Sequence, residues 1–137
     1  MKHYLLDTSL VAGFLLAREK AIALVSPLLE REEAATSILV YGEVVEYVKS
    51  FTAFRTYRES LEALLEHIDP LPLTYPILER YADIRRTLRP LHQDIGDIDT
   101  LIAATALEHD LTLLTIDTDY DRVPNLKCEV VTLKKAA

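Results

Sequence analysis

The sequence predicts a single α/β domain spanning residues 1–137 and built around a largely parallel sheet. Short apolar runs alternate with longer stretches of helical periodicity, the pattern of repeated strand–helix–strand units. The chain has 137 residues, half of them apolar, which is enough for one core and too little for two. No internal repeat, linker or low-complexity segment divides it.

Residues 3–6 are a short apolar run ending at Asp7, and Thr8-Ser9 then precedes a second apolar run, so the chain opens as strand, cap and helix. Gly13 is expected to stop that helix. In residues 17–33, Ile22, Val25, Leu28 and Leu29 recur at helical spacing, and Pro27 either kinks this helix or begins another. Residues 35–39 read as a strand, followed by a helix over 40–50 in which Val44, Val45 and Val48 recur at helical spacing. Their branching lowers helix propensity, so tertiary burial must hold this segment. Residues 55–67 form an amphipathic helix, with Leu61, Leu64, Leu65 and Ile68 on one side. Pro70 and Pro72 end it and confine any strand there to a short or edge position. Thr74 caps the next helix, Pro76 lies in its first turn, and Ile77, Leu78, Tyr81, Ile84 and Leu88 carry it to Pro90. Gly96 and Asp97 open another, with Leu101, Ile102, Thr105 and Ala106 facing inward until His109-Asp110. Residues 111–115 are a buried strand and residues 128–133 a last one.

Cys128 is the single cysteine, and no pair of Cys or His stands at zinc-like spacing, which excludes a disulfide scaffold and a zinc finger. Apolar stretches such as residues 101–107 fall far short of the ~20 residues that span a bilayer. The first residues meet Asp7 after two leucines and lack the apolar core of a signal peptide. A cytoplasmic location is the expectation. The net charge of −7 argues against a protein that coats phosphates with a basic surface. That charge is unevenly spread: residues 94–129 hold nine acids and two bases, interleaved with Leu101-Ile102-Ala103-Ala104 and Leu111-Thr112-Leu113-Leu114. This is a folded acidic region, not a solvated tail.

Sites in open parallel sheets form at the carboxyl ends of strands. Two apolar strands here finish in aspartates, Tyr4-Leu5-Leu6 at Asp7 and Leu113-Leu114-Thr115-Ile116 at Asp117. Thr36-Ser37-Ile38 leads into the helix that bears Glu43, and Asp99 sits in the first turn of the helix starting at Asp97. All four can reach one sheet edge. Four carboxylates so placed repel one another unless a cation joins them, and hard oxygen ligands select Mg²⁺ or Mn²⁺. Two such ions roughly 3.5–4 Å apart activate water and stabilise the leaving oxygen in phosphodiester cleavage without a histidine base. Such ions also reverse the local field where a phosphate must sit, which answers the objection from net charge.

Each acid also has a plainer reading. Asp7 could serve only as a helix cap, and Glu43 and Glu46 as solvated helix acids. Asp97 and Asp99, two apart, cannot share a helix face, and because the apolar and small Leu101-Ile102-Ala103-Ala104 after Asp99 let the helix sit close on the sheet, Asp97 is assigned to the cap and Asp99 to the site. Asp117-Thr118-Asp119-Tyr120-Asp121 looks like the start of a calcium loop, but Arg122 and Cys128 stand where that loop needs glycine and glutamate. His3, His67, His92 and His109 are scattered, and no nucleophile elbow, glycine-rich phosphate loop or Walker lysine is present.

Four blocks then align in order with a known family: Leu5-Leu6-Asp7-Thr8-Ser9; Tyr41-Gly42-Glu43-Val44; the run from Asp99 to Leu107; and Leu113-Leu114-Thr115-Ile116-Asp117-Thr118-Asp119-Tyr120. Over essentially its whole length the chain resembles a PIN domain of the kind found in VapC-type toxins. The resemblance implies a PIN-like three-layer α/β/α sandwich with a central, largely parallel sheet. It implies a Mg²⁺- or Mn²⁺-dependent endoribonuclease that is held inactive by a VapB-like antitoxin and usually dimerises. Asp7, Glu43 and Asp99 match the family's three core acids and Asp117 its more variable fourth, with Asp119 an alternative. Asp7 and Asp99 would be the principal metal ligands, and Thr8 and Thr115 match hydroxyl positions beside the site. Leu91-His92-Gln93-Asp94 departs from the family's glycine-centred turn. The apolar faces near residues 40–65 are candidates for a dimer contact. For RNA phosphates the candidates are Lys49, Arg55, Arg58, Arg80 and Arg86, with Arg85 and Arg89, which share a helix face at i, i+4, preferred. The alternatives are a PIN-like nuclease in RNA processing without toxicity, and a non-catalytic RNA- or protein-binding module of the same fold.

Overall fold

The strands β1 (Tyr4–Leu6), β2 (Ala34–Ser37), β3 (Pro70–Leu71), β4 (Thr112–Thr115) and β5 (Cys128–Val130) form one sheet in the order β3-β2-β1-β4-β5, every pairing parallel. The structure, a computed structural model, describes residues 1–68 and 70–133. Between the strands run α1 (Thr8–Leu15), α2 (Glu19–Glu30), α3 (Ile38–Val48), α4 (Phe54–Leu65), α5 (Tyr75–Leu88) and α6 (Asp97–Glu108). Parallel crossovers are right-handed. The steps β1→β2→β3 therefore put α1–α4 on one face, where they pack on one another, and the return to β4 puts α5 against α6 on the other. This is the expected three-layer sandwich. Leu5, Leu6 and Leu113 are fully buried in the sheet, Leu10, Val40 and Val44 cover one side, and Ile102, Ala103 and Ala106 cover the other. Among the described residues no helix is long and apolar enough to cross a membrane.

Several element boundaries differ from the sequence expectation. Gly13 does not stop α1, which continues to Leu15. A β-carbon at Gly13 would lie 3.1 Å from Ala21 Cβ and 3.2 Å from Leu133 Cδ1, so the missing side chain lets α2 and Leu133 close on α1. Gly13→Val is expected to destabilise the fold by about 1–3 kcal/mol through overpacking, measured by urea unfolding. The turn between α1 and α2 is made instead by Ala17, at φ 56°. Pro27 lies inside one unbroken α2, close enough to its end that little of the helix depends on the lost N–H. The second strand ends at Ser37 rather than residue 39, because the Ser37 hydroxyl accepts from Leu39 N–H at 3.1 Å and caps α3. The last strand stops at Val130. Val44, Val48, Leu61 and Leu64 are buried in the chain's own core, which accounts for the apolar faces near residues 40–65 without a partner.

The strand order makes β1 and β4 the pair from which successive crossovers leave in opposite directions. In open sheets this is where a crevice forms at the carboxyl ends.

Candidate active site

Two of the predicted acids flank that crevice. Leu6 pairs with Leu114, and Asp7 N–H donates to the Leu114 carbonyl at 3.2 Å, so the sheet carries Asp7 to its edge beside β4. The Asp7 side chain caps α1 and also lines the cavity at the sheet edge. Its Oδ1 accepts from Leu10 N–H at 3.2 Å and from the Ser9 hydroxyl at 2.6 Å, and its Oδ2 accepts from the Thr115 hydroxyl. Thr115, at the end of β4, is wholly buried, and its oxygen also accepts from Asp117 N–H at 3.0 Å. One hydroxyl thus ties together the ends of both strands. Asp117 caps a 3₁₀ turn over Thr118–Arg122, its Oδ1 accepting from Asp119 N–H at 2.8 Å. This turn folds Tyr120 inward to 2% exposure, where its hydroxyl donates to Asp99 Oδ1 at 3.0 Å. From α3, Glu43 Oε1 accepts from the Thr8 hydroxyl at 2.5 Å.

Asp7, Glu43, Asp99 and Asp117 all line one cavity of about 1150 Å³. Burial holds the carboxyl of Asp7 above its ordinary value, outweighing the hydrogen bonds that favour its charged form. Burial raises Asp99 as well, helped by the charges of Asp117 and Asp119 and opposed by the Tyr120 hydrogen bond. The Tyr120 phenol is driven far upward by burial and by Asp99, Asp7 and Asp117, so it stays protonated as a donor. The Cys128 thiol is pushed up to about 11 by burial and by Asp121, Asp7 and Asp117, which leaves it a poor nucleophile.

The fold's ion pairs fall elsewhere, on Glu33, Glu62, Glu108, Asp97, Asp119 and Asp110. Among the described residues, none of them neutralises Asp7, Glu43, Asp99 or Asp117. The donor set is oxygen alone and net negative, which fits a hard divalent cation. Among the described residues no three His, Cys, Asp or Glu stand close enough to form a ready-made cage; hydroxyls hold Asp7, Glu43 and Asp99, and the Asp119 N–H holds Asp117.

Other expectations are corrected. Asp97 does not cap α6: Gly96 occupies that position without a side-chain bond, and Asp97 accepts from Tyr81 at 3.2 Å and from Arg85. Glu46, expected to face solvent, is exposed but lines the cavity beside Glu43. Asp119 pairs with Arg122 at 3.3 Å and lies outside the cavity lining, unlike Asp117. Arg85 and Arg89 do not reach the cavity lining either: Arg85 is paired with Asp97 and stacked over Tyr81 at 5.4 Å, and Arg89 lies in the 3₁₀ turn after α5. Arg85→Ala is therefore expected to change stability by no more than about 1 kcal/mol, read by urea unfolding. Arg58 and Arg80 pair with Glu62 and Glu108. Arg18, unremarked in the sequence, does line the cavity. Ser9, a cap candidate in sequence, bonds to the Asp7 carboxylate instead, and Tyr120 bonds to Asp99. The aromatic residue three places after a strand-ending aspartate was the available signal for Tyr120.

A family model described as the PIN domain matches residues 4–126. The chain belongs to the PIN domain family. This PIN domain is 27% identical over 126 residues to a protein named Ribonuclease VapC1 of Haemophilus influenzae (strain R2866), covering 90% of this chain and 94% of the relative. Among solved structures it resembles VapBC-1 from nontypeable Haemophilus influenzae, with a TM-score of 0.78 and 26% identity over 93% of this chain and 96% of that one. It also shares the fold of VapBC2 from Rickettsia felis bound to a DNA fragment from their promoter, with a TM-score of 0.83, 23% identity, and coverage of 93% and 97%.

Proposed function

We propose that this PIN domain is a Mg²⁺- or Mn²⁺-dependent endoribonuclease, the toxin member of a toxin–antitoxin pair, which hydrolyses RNA phosphodiester bonds. The observation that carries this reading is that Asp7, Glu43, Asp99 and Asp117, from four separate segments, line one cavity while the ion pairs among the described residues lie on other acids. The similarity to Ribonuclease VapC1 supports the activity, and the VapBC structures support a VapB-like antitoxin as partner. Asp7 and Asp99 would be the principal metal ligands, with Glu43 and Asp117 completing the site. When bound, the ion supplies a Lewis acid and lowers the pKa of a water molecule. The chain's own hydroxyls hold the ligands in place: Ser9 and Thr115 on Asp7, Thr8 on Glu43, and Tyr120 on Asp99. Thr115 also fixes the backbone of Asp117 relative to Asp7. A cytoplasmic homodimer completes the reading, with its contact outside the buried residues of α3 and α4.

The test is induced expression followed by sequencing of RNA ends, wild type beside Asp7→Asn. New ends and arrested growth are expected for the wild type alone, and co-expression of the antitoxin should suppress both. A matched pattern of ends in the two strains refutes catalysis by this chain.

A further inference from the structure

The cavity that holds the acids does not stop at them. Ser9, Ala12 and Gly13 of α1 and Leu16 just after it recur at helical spacing and line it, together with residues 131–133, of which Leu133 packs at Gly13. At about 1.5 Å per residue, this groove extends on the order of 12 Å from Asp7. Arg18, just beyond α1, is the only basic residue in its lining among the described residues. Its guanidinium makes no ion pair or hydrogen bond among the described residues, although five acids line the same cavity. The backbone presents it deliberately: Ala17 turns the chain at φ 56°, Arg18 N–H donates to the Gly13 carbonyl at 2.9 Å, and the Arg18 stem lies over the bare Gly13 backbone. Tyr47 of α3 lines the same cavity and is 41% exposed, its ring braced edge-on against Phe51 at 5.0 Å.

We infer that this groove is a single-stranded RNA subsite, in which Arg18 holds a phosphate flanking the scissile one and Tyr47 stacks a neighbouring base. The inference rests on the ribonuclease reading and names how that site grips its substrate. An unpaired cation answers a phosphate, and an exposed, braced aromatic ring answers a base without selecting its sequence. Both line the same cavity as the acids, within reach of one bound strand.

The test uses the full chain carrying Asp99→Asn, so that RNA stays intact, and measures binding of a short single-stranded RNA by fluorescence anisotropy across a salt series. Adding Arg18→Gln should lower the steepness of log affinity against log salt by about 0.7, the loss of one phosphate contact, and Arg18→Lys should retain it. Tyr47→Leu should weaken binding roughly fivefold or more with the slope unchanged, and Tyr47→Phe should bind as the parent does. Parent-like affinity and slope in both Arg18→Gln and Tyr47→Leu overturn the subsite. So does a pattern in which the two substitutions weaken only the binding of a partner protein, which would make the groove a protein-docking surface. Cleavage by the wild-type chain with Mn²⁺ is assayed in parallel, and its absence overturns the ribonuclease reading separately from the subsite.

Discussion

Asp7→Asn should abolish cleavage while making the metal-free protein more stable. Asparagine caps a helix as well as aspartate does, so the Leu10 N–H and the Ser9 hydroxyl keep an acceptor and α1 keeps its start, while the Thr115 hydroxyl, which donated to Oδ2, must accept from the new amide instead. What disappears is a carboxylate that is 5% exposed and unpaired with any cation among the described residues. Because burial raises its pKa, the native state binds this proton more tightly than the unfolded chain does. The sign is therefore opposite to that of a salt-bridged aspartate. The penalty is absent below the unfolded value near 3.8, grows as pH rises, and is complete above the raised native value. Asp99 acts in the same direction. In chelator at neutral pH, Asp7→Asn should melt above the wild type, and the gap should close on acidification. Added Mn²⁺ should raise the wild-type Tm and leave the variant's unchanged. Removing a supporting partner of a metal site commonly costs 10–100-fold, so loss of a principal ligand should lower cleavage by at least about 100-fold. A variant that cleaves like the wild type, or a wild type whose Tm ignores Mn²⁺, contradicts this assignment.

Tyr120→Phe is the second large effect. The ring is buried and stays, whereas the hydroxyl that donates to Asp99 Oδ1 goes. Mn²⁺ affinity by calorimetry, or cleavage, is expected to fall 10–100-fold while the protein remains folded. Tyr120→Ala instead removes the ring from the core and should cost about 3–5 kcal/mol of stability. The pair of variants separates positioning from packing. If Tyr120→Phe leaves metal affinity and cleavage at wild-type levels, the hydroxyl serves packing alone.

The acids were legible because their placement depends on simple rules. An apolar run that stops at a carboxylate, as Leu6-Asp7 and Ile116-Asp117 do, marks a strand end, and strand ends in a parallel sheet share an edge. Helix geometry separated Asp99 from Asp97, and the small, apolar Leu101-Ile102-Ala103-Ala104 run after Asp99 chose between them. What Asp97 does instead could not be read, because its partners Tyr81 and Arg85 belong to α5 and meet it only through the packing of α5 on α6. The same holds for Gly13: in sequence it is a helix breaker, and only the approach of Ala21 and Leu133 reveals a packing position. Tyr120 and Arg18 owe their placement to a 3₁₀ turn and to a left-handed alanine, neither of which has a sequence pattern strong enough to announce it. The preferred arginines failed for a related reason. Residues 85 and 89 share a helix face, but the topology turns that face away from the acids and supplies Asp97 as a partner.

The most direct test of the central claim, that these four acids form one metal-dependent ribonuclease site, is cleavage of a defined single-stranded RNA by the purified chain. It should be run with Mn²⁺, with chelator, and with Asp99→Asn in Mn²⁺. Internal cleavage by the wild type with Mn²⁺, lost in both other reactions, is the predicted result. Equal cleavage in chelator, or by Asp99→Asn, would contradict it.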